Sequence, residues 1–209
     1  MIRIEDCLTP FEDAQILDAL DVELARGFLR MVGQTPDAQP EVALGAALAS
    51  RAPAHGHLCV QIQTAANTPC GSADMELPDD TMRPILPWPR PDAWLKALNA
   101  SSLVRGPASD QVTPLVLDVS GRLYLDRYWC YEQRLADGIR DRLGGMSDIE
   151  DPAALAQVLE RLIPENPDKP DWRRGVLDQR FAVLVALRHK FAVLSGGPGT
   201  GKTTSVGQS

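Results

Sequence analysis

Gly196-Gly197-Pro198-Gly199-Thr200-Gly201-Lys202-Thr203 fits the pattern G-x-x-x-x-G-K-[ST] without a mismatch. Each residue type in it has a physical task. The glycines adopt backbone angles that a side chain forbids, and they let amides approach phosphate oxygens closely. Those amides and the start of a following helix form an anion site. Lys202 reaches the β- and γ-phosphates as a mobile point charge. The Thr203 hydroxyl binds Mg²⁺, which bridges the same phosphates. The expected ligands are therefore ATP, or a related nucleotide, and Mg²⁺. Gly196, Gly197, Pro198, Gly199, Thr200, Gly201, Lys202, Thr203 and Thr204 form the cradle, Lys202 acts in catalysis and Thr203 holds the metal. The alternative is a chance glycine turn. Against it stands the setting: an apolar run, Phe191-Ala192-Val193-Leu194-Ser195, precedes the loop, and a helix is expected from Thr204.

Other constellations carry less chemistry. His55, His57 and Cys59 alternate and would share one face of a strand, and Cys70 could join them around zinc. Cytosolic zinc sites show tighter paired spacing, so packing and turn roles are preferred. Cys130, between Trp129 and Tyr131, reads as a small buried hydrophobe rather than a nucleophile. Trp88 and Trp94 suit core packing, with anchoring of a partner as the other reading. Arg173, Arg174, Arg180 and Arg188 read as a solvated helix face. His189 and Lys190 sit where cations favour a helix C-terminus.

The elements that must position the loop follow from periodicity. Thr9-Pro10-Phe11-Glu12 has the form of a capping box, opening a helix with Ile16, Leu17 and Leu20 on its apolar face. Asp21 is expected to cap a second helix, with Leu24, Phe28 and Met31 inward and its end near Gly33. A third helix is expected over about 41–50, and Leu58–Ile62 reads as a short strand. Residues 64–91 read as a long surface loop, followed by a short helix carrying Trp94, Leu95 and Leu98. Leu115–Val119 and Arg122–Leu125 flank Ser120-Gly121, a hairpin signal. The next helix is expected to turn Trp129, Leu135, Ile139 and Leu143 inward and to stop at Gly144-Gly145. Asp151-Pro152 opens another, carrying Leu155, Val158, Leu159 and Leu162. Residues 164–170 read as a linker, and Asp171 caps a helix to about Arg188. The run 191–195 then suits a buried parallel strand.

The expected fold class is α/β. A mostly helical N-terminal domain at 1–110 is followed by a hairpin-and-helix connecting segment at 111–170. The start of a RecA-like P-loop NTPase lobe, truncated, occupies 171–209. With 44 per cent hydrophobic residues the 209-residue chain can build a real core. Its net charge of -7 does not by itself attract nucleic acid or an anionic membrane. The four cysteines contain no C-x-x-C pair, which suits reduced thiols in a cytoplasm.

The run Val193 to Thr204 resembles the first helicase motif of superfamily 1 DNA helicases. In that superfamily a glutamine at the place of Gln179 reads the adenine base with one amide donor and one acceptor; an exposed helix glutamine is the other reading here. The stretch Gly121-Arg122-Leu123-Tyr124-Leu125-Asp126-Arg127-Tyr128-Trp129-Cys130-Tyr131-Glu132 is similar to the segment RLYL-x-R-x-W-x-x-E of the RecD family, alpha subunits of exonuclease V (RecBCD). Leu20-Asp21-Val22 and Gly56-His57-Leu58-Cys59-Val60 are shorter echoes of the same family. The resemblance implies a 5′-to-3′ DNA helicase of a helicase–nuclease complex in double-strand-break repair and recombination. It also implies that the N-terminal region docks on the other two subunits, and that DNA is bound by the complete protein. The chain stops seven residues after Lys202. An acidic pair, second-lobe arginines and a DNA-binding surface are expected beyond Ser209, so this piece alone is expected to turn over no ATP. For the same reason the segment from about 190 onward is expected to be loosely held. Two rivals stay open: a non-enzymatic interaction fragment, and an unrelated P-loop ATPase with a helical prefix.

Overall fold

The computed structural model describes residues 5–66, 86–146, 151–165 and 172–196. It combines helices with one small sheet. The chain divides into two compact units, Met1–Glu132 and Gln133–Ser209.

The first unit is built around one helix. Helix α1 (Thr9–Asp13) and α2 (Ala19–Met31) precede α3 (Pro40–Arg51), in which every residue from Val42 to Ala49 is buried. Such a helix must be covered on all sides. Helix α2 packs on it, as does α4 (Pro91–Ala100), which buries Trp94 and Leu98. The remaining side is covered by a sheet of β1 (Cys59–Gln61), β2 (Val104–Arg105), β3 (Leu115–Leu117) and β4 (Arg122–Leu125), in the order β1-β4-β3-β2. β4 pairs antiparallel with both β1 and β3, while β2 and β3 run parallel. Leu115, Leu117, Leu123, Leu125 and Val60 join the core around α3. The alternate row is also buried, Val116 opposite Tyr124.

Two close fits fix this packing. Gly45 of α3 leaves no room for a side chain: a Cβ there would stand 2.9 Å from Leu123 Cδ2 and 3.2 Å from Leu98 Cδ2. Trp94 Nε1 donates to the Glu41 carbonyl at 2.7 Å, which satisfies its one polar atom in the core.

The hairpin forms where turn chemistry places it. Gly121 takes φ +75° and closes the turn with its N–H on the Asp118 carbonyl at 3.1 Å. The hairpin lies in the same sheet as β1 and β2, within Met1–Glu132.

Some local expectations are corrected. α1 begins after Leu8, and Thr9 makes no N-terminal cap; its Oγ1 accepts from the Asp6 N–H at 3.0 Å. For α2 the N-terminal cap position is Asp18, and Asp21 sits one turn inside, its carboxylate accepting from the Asp18 N–H at 3.1 Å. The buried stripe of α2 is Val22, Ala25 and Leu29; Leu24 and Phe28 lie on its flank, and Leu20 and Met31 are exposed. Helical rotation explains this, because α2 carries two apolar stripes and only one can face α3.

In the second unit, α6 (Pro152–Leu162) is capped by Asp151, whose carboxylate accepts from Ala153 N at 3.0 Å and Ala154 N at 2.9 Å. α6 packs against α7 (Trp172–Arg188) around Leu159, Ile163 and Val183, with Leu155, Leu162, Val176 and Leu184 beside them. Helix α5 (Asp126–Leu143) contains the division between the units. Its Leu135 and Leu143, expected inward, are exposed, since no described element covers that side. The loop at 64–91 and the linker at 164–170 fall largely outside the described residues, as do Cys70 and Asp171.

Candidate functional site

The helix and the segment before the glycine-rich octapeptide 196–203 are described; of the octapeptide itself only Gly196 is. Gln179 lies midway along α7 and is half-buried. Its neighbour Arg180 donates from Nε and Nη2 to the Ile163 carbonyl, at 3.1 and 2.8 Å. That fork satisfies a carbonyl at the end of α6 and ties α7 to it. After α7 the chain makes an isolated antiparallel bridge, His189 to Met146, and Lys190 lies along Gly145 with its N–H on that residue's carbonyl at 3.3 Å. Residues 192–196 are then irregular. The strand expected over 191–195 does not form a ladder among the described residues, and Val193 and Ser195 are exposed. The physical reason is pairing: a strand needs hydrogen-bond partners on its edges, and none of the described strands runs beside this segment. Gly196 stands exposed at its end. Gly197, Pro198, Gly199, Thr200, Gly201, Lys202, Thr203 and Thr204 lie outside the described residues.

The stretch 121–132 is a scaffold. It supplies β4 and the first turns of α5. Arg122 binds Asp118 through Nε and Nη2, both at 2.7 Å. Asp118 also accepts from the N–H groups of Ser120 and Arg122, each at 2.9 Å. Burial pushes the Asp118 carboxyl up, but these bonds together hold it below its ordinary value. Tyr124 packs edge-to-face on Trp129 at 5.1 Å. Asp126 pairs with Arg105 at 2.6 Å. Arg127 lies over the Tyr128 ring at 4.6 Å and donates to its hydroxyl.

Two of the described thiols, Cys7 and Cys59, are poor nucleophiles. Burial, with Asp6 and Asp37 nearby, pushes Cys7 up to about 12. Burial likewise raises Cys59. Thiolates are the reactive form, so both sites are inert near neutrality. Among the described residues no group of three or more His, Cys, Asp or Glu is placed to hold a metal. No described helix is long and apolar enough to cross a membrane.

A groove of about 610 Å³ opens on the first unit. One wall is the outer stripe of α2: Leu20, Leu24, Phe28 and Met31. The other comprises Arg51 at the end of α3, Ala54 shortly after it, the loop Val112 to Pro114, and Leu125 to Arg127. Of the stripe expected to face inward, Leu24 and Phe28 do pack against the core while also lining the groove, and Met31 is exposed; Val112 was passed over. The available signal was the double stripe of α2, since Val22, Ala25 and Leu29 also recur at helical spacing.

Comparison with known proteins bears on this chain as a whole. The family model described as "RecBCD enzyme subunit RecD, N-terminal domain" matches residues 13–124. RecBCD enzyme subunit RecD of Mycolicibacterium smegmatis is 38% identical over 193 residues, which covers 92% of this chain and 28% of that protein. The protein of the same name from Mycobacterium tuberculosis is 34% identical over 202 residues, 94% of this chain and 28% of its own length. That from Haemophilus influenzae is 32% identical over 114 residues, 54% of this chain. The chain thus spans little more than a quarter of the mycobacterial relatives it matches.

Proposed function

The chain belongs to the RecD N-terminal domain family, and on that premise we propose that it is the N-terminal part of the ATP-dependent 5′-to-3′ helicase subunit of a RecBCD-type helicase–nuclease complex. The complex would act in DNA double-strand-break repair and recombination, in the cytoplasm. Residues 1–110, with the sheet they share with the hairpin, dock on the other two subunits. Residues 111–170 connect to the motor, whose first lobe opens at 171–209.

One observation carries the enzymatic reading: the complete octapeptide Gly196 to Thr203, in a chain whose similarity to RecD subunits covers nearly its full length. ATP and Mg²⁺ are the ligands. Backbone amides of the loop bind phosphate, Lys202 neutralises the β- and γ-oxygens, Thr203 coordinates Mg²⁺, and Gln179 faces the adenine. Phosphoryl transfer depends on positioning and charge stabilisation, so a loop acts only with its catalytic partners in place. Turnover and DNA translocation accordingly belong to the complete subunit in its complex, and this piece alone contributes nucleotide binding.

The test is Lys202→Ala in the complete subunit, assembled with its partners on a duplex bearing a 5′ single-stranded tail. Unwinding from that tail should fall by about a hundredfold or more, as for other lost charge-stabilising donors. Unwinding at the wild-type rate would remove Lys202 from the mechanism.

A further inference from the structure

The groove beside α2 has the shape, chemistry and exposure of a recognition site. Leu20, Leu24, Phe28 and Met31 fall at spacings of four, four and three, so they form one line along the helix. That line is about 16 Å long at the usual rise per residue. Leu20 is 75% exposed, Met31 73% and Val112 fully exposed. Large apolar side chains gathered along a groove mark an interaction surface, whereas scattered ones do not.

Among the described residues most charged groups at its rim have a partner, although Asp18 and Asp21 share one guanidinium, that of Arg51. Asp18 pairs with Arg51, Asp126 with Arg105, and Asp21 accepts from Ser50 Oγ at 2.7 Å. Arg127 differs. Its guanidinium lies over the Tyr128 ring and donates to the Tyr128 hydroxyl, and among the described residues no carboxylate pairs with it. The groove therefore presents an apolar channel whose rim carries Arg127, paired with no described carboxylate, and a cluster in which Asp18 and Asp21 share the guanidinium of Arg51.

We propose that this groove receives a helix of a partner subunit whose apolar face carries a carboxylate opposite Arg127. The proposal rests on the docking role given above and names its surface. A helix fits better than a strand because no wall offers an unpaired strand edge. β4, which contributes Leu125, is already paired on both sides. An entering strand would leave its own backbone groups unpaired, while a helix satisfies them internally. A different polypeptide fits better than a second copy, because a two-fold contact brings the same surface against itself. Two facing grooves would enclose a void.

The experiment uses the whole chain and the two purified partner subunits. Binding is measured for wild type, for Met31→Glu with Val112→Glu, and for Arg127→Glu. The first variant places charges on side chains that make little internal packing, so thermal melting should be unchanged. Each variant should bind at least about tenfold more weakly, the size expected at the centre of an interface. Benzoylphenylalanine at position 112 should cross-link to a helical segment of a partner subunit that contains Asp or Glu. Changing that acid to Lys should restore binding to the Arg127→Glu chain. If the glutamate pair unfolds the protein, the Arg127→Glu result and its charge-swap rescue decide alone. Equal binding by wild type and variants overturns the groove assignment and leaves the docking role standing. Failure of the wild type to bind either subunit overturns both. A cross-link to another copy of this chain overturns the choice of occupant.

Discussion

Asp118 shows how one side chain can fix a turn. It accepts four hydrogen bonds from Ser120 and Arg122, two from backbone and two from the guanidinium, in a buried position. Its folded-state pKa is lowered, so it binds protons less readily in the folded chain than in the unfolded one. The resulting stability is present above the ordinary carboxylate value of about 3.9. It disappears as pH falls through the lower, folded value. Asp118→Asn should cost about 1–3 kcal/mol near neutrality, because an amide cannot accept all four bonds. Stability curves of the variant and wild type should converge at low pH; a constant gap down to pH 2 would contradict the assignment. Residue chemistry was legible where type and spacing suffice, as in the glycine turn at 121. It was not legible where a bond partner lies far along the chain. Nothing local marks the ion pair of Asp6 with Arg26, at 2.8 Å, or Glu41 as the acceptor for Trp94.

Among the elements, α3 governs the first unit. Its position over about 41–50 was readable, but its burial on every side was not, because Ala-rich composition fits a surface helix as well as a central one. The close approach of Leu123 and Leu98 to Gly45 reveals the difference. Gly45→Ala gains helix propensity of roughly 1 kcal/mol. The added methyl must displace two buried leucines, a cost of about 1–3 kcal/mol. The expected net result is destabilisation or at best no gain, measured by urea unfolding. A clear increase in stability would mean that the leucines rotate away freely. α2 teaches the complementary lesson. Its apolar stripes both obey helical spacing, and the sequence held no local reason to prefer Val22, Ala25 and Leu29 for the core. The choice was made by α3. In α5 the apolar positions Leu135 and Leu143 were readable as a stripe, but a stripe says nothing of whether an element covers it.

The two units differ in how much they bury. The first encloses a core running from Leu8 to Leu125; the buried cluster of the second comprises Leu159, Ile163 and Val183 among the described residues. Local stability follows such burial. Amides of α6 and α7 should therefore exchange with solvent faster than those of α3 and β4. Leu159→Ala, at about 2–5 kcal/mol for a buried leucine, should abolish protection in α6 and α7 and leave α3 unchanged. Equal loss in both units would show them to unfold as one. The mixed helix-and-sheet character and the family were legible at this scale, because the segments at 121–132 and 193–204 are local sequence signatures. The division inside α5 was not, since no break in its helical pattern announces it.

The strand order has a consequence for dissecting the protein. Among the described residues β1 pairs only with β4, and β2 only with β3. The two outer strands come from residues 59–61 and 104–105, the two inner ones from 115–125. A chain cut after residue 110 would keep both outer strands and lose both of their partners. It would also strip Leu115, Leu117, Leu123 and Leu125 from the core around α3. Any excised version meant to report on docking must reach past Leu125, and it gains from including Trp129, which packs on Tyr124. The RecD-like segment at 121–132 thus acts as the keystone of a unit most of whose sequence precedes it.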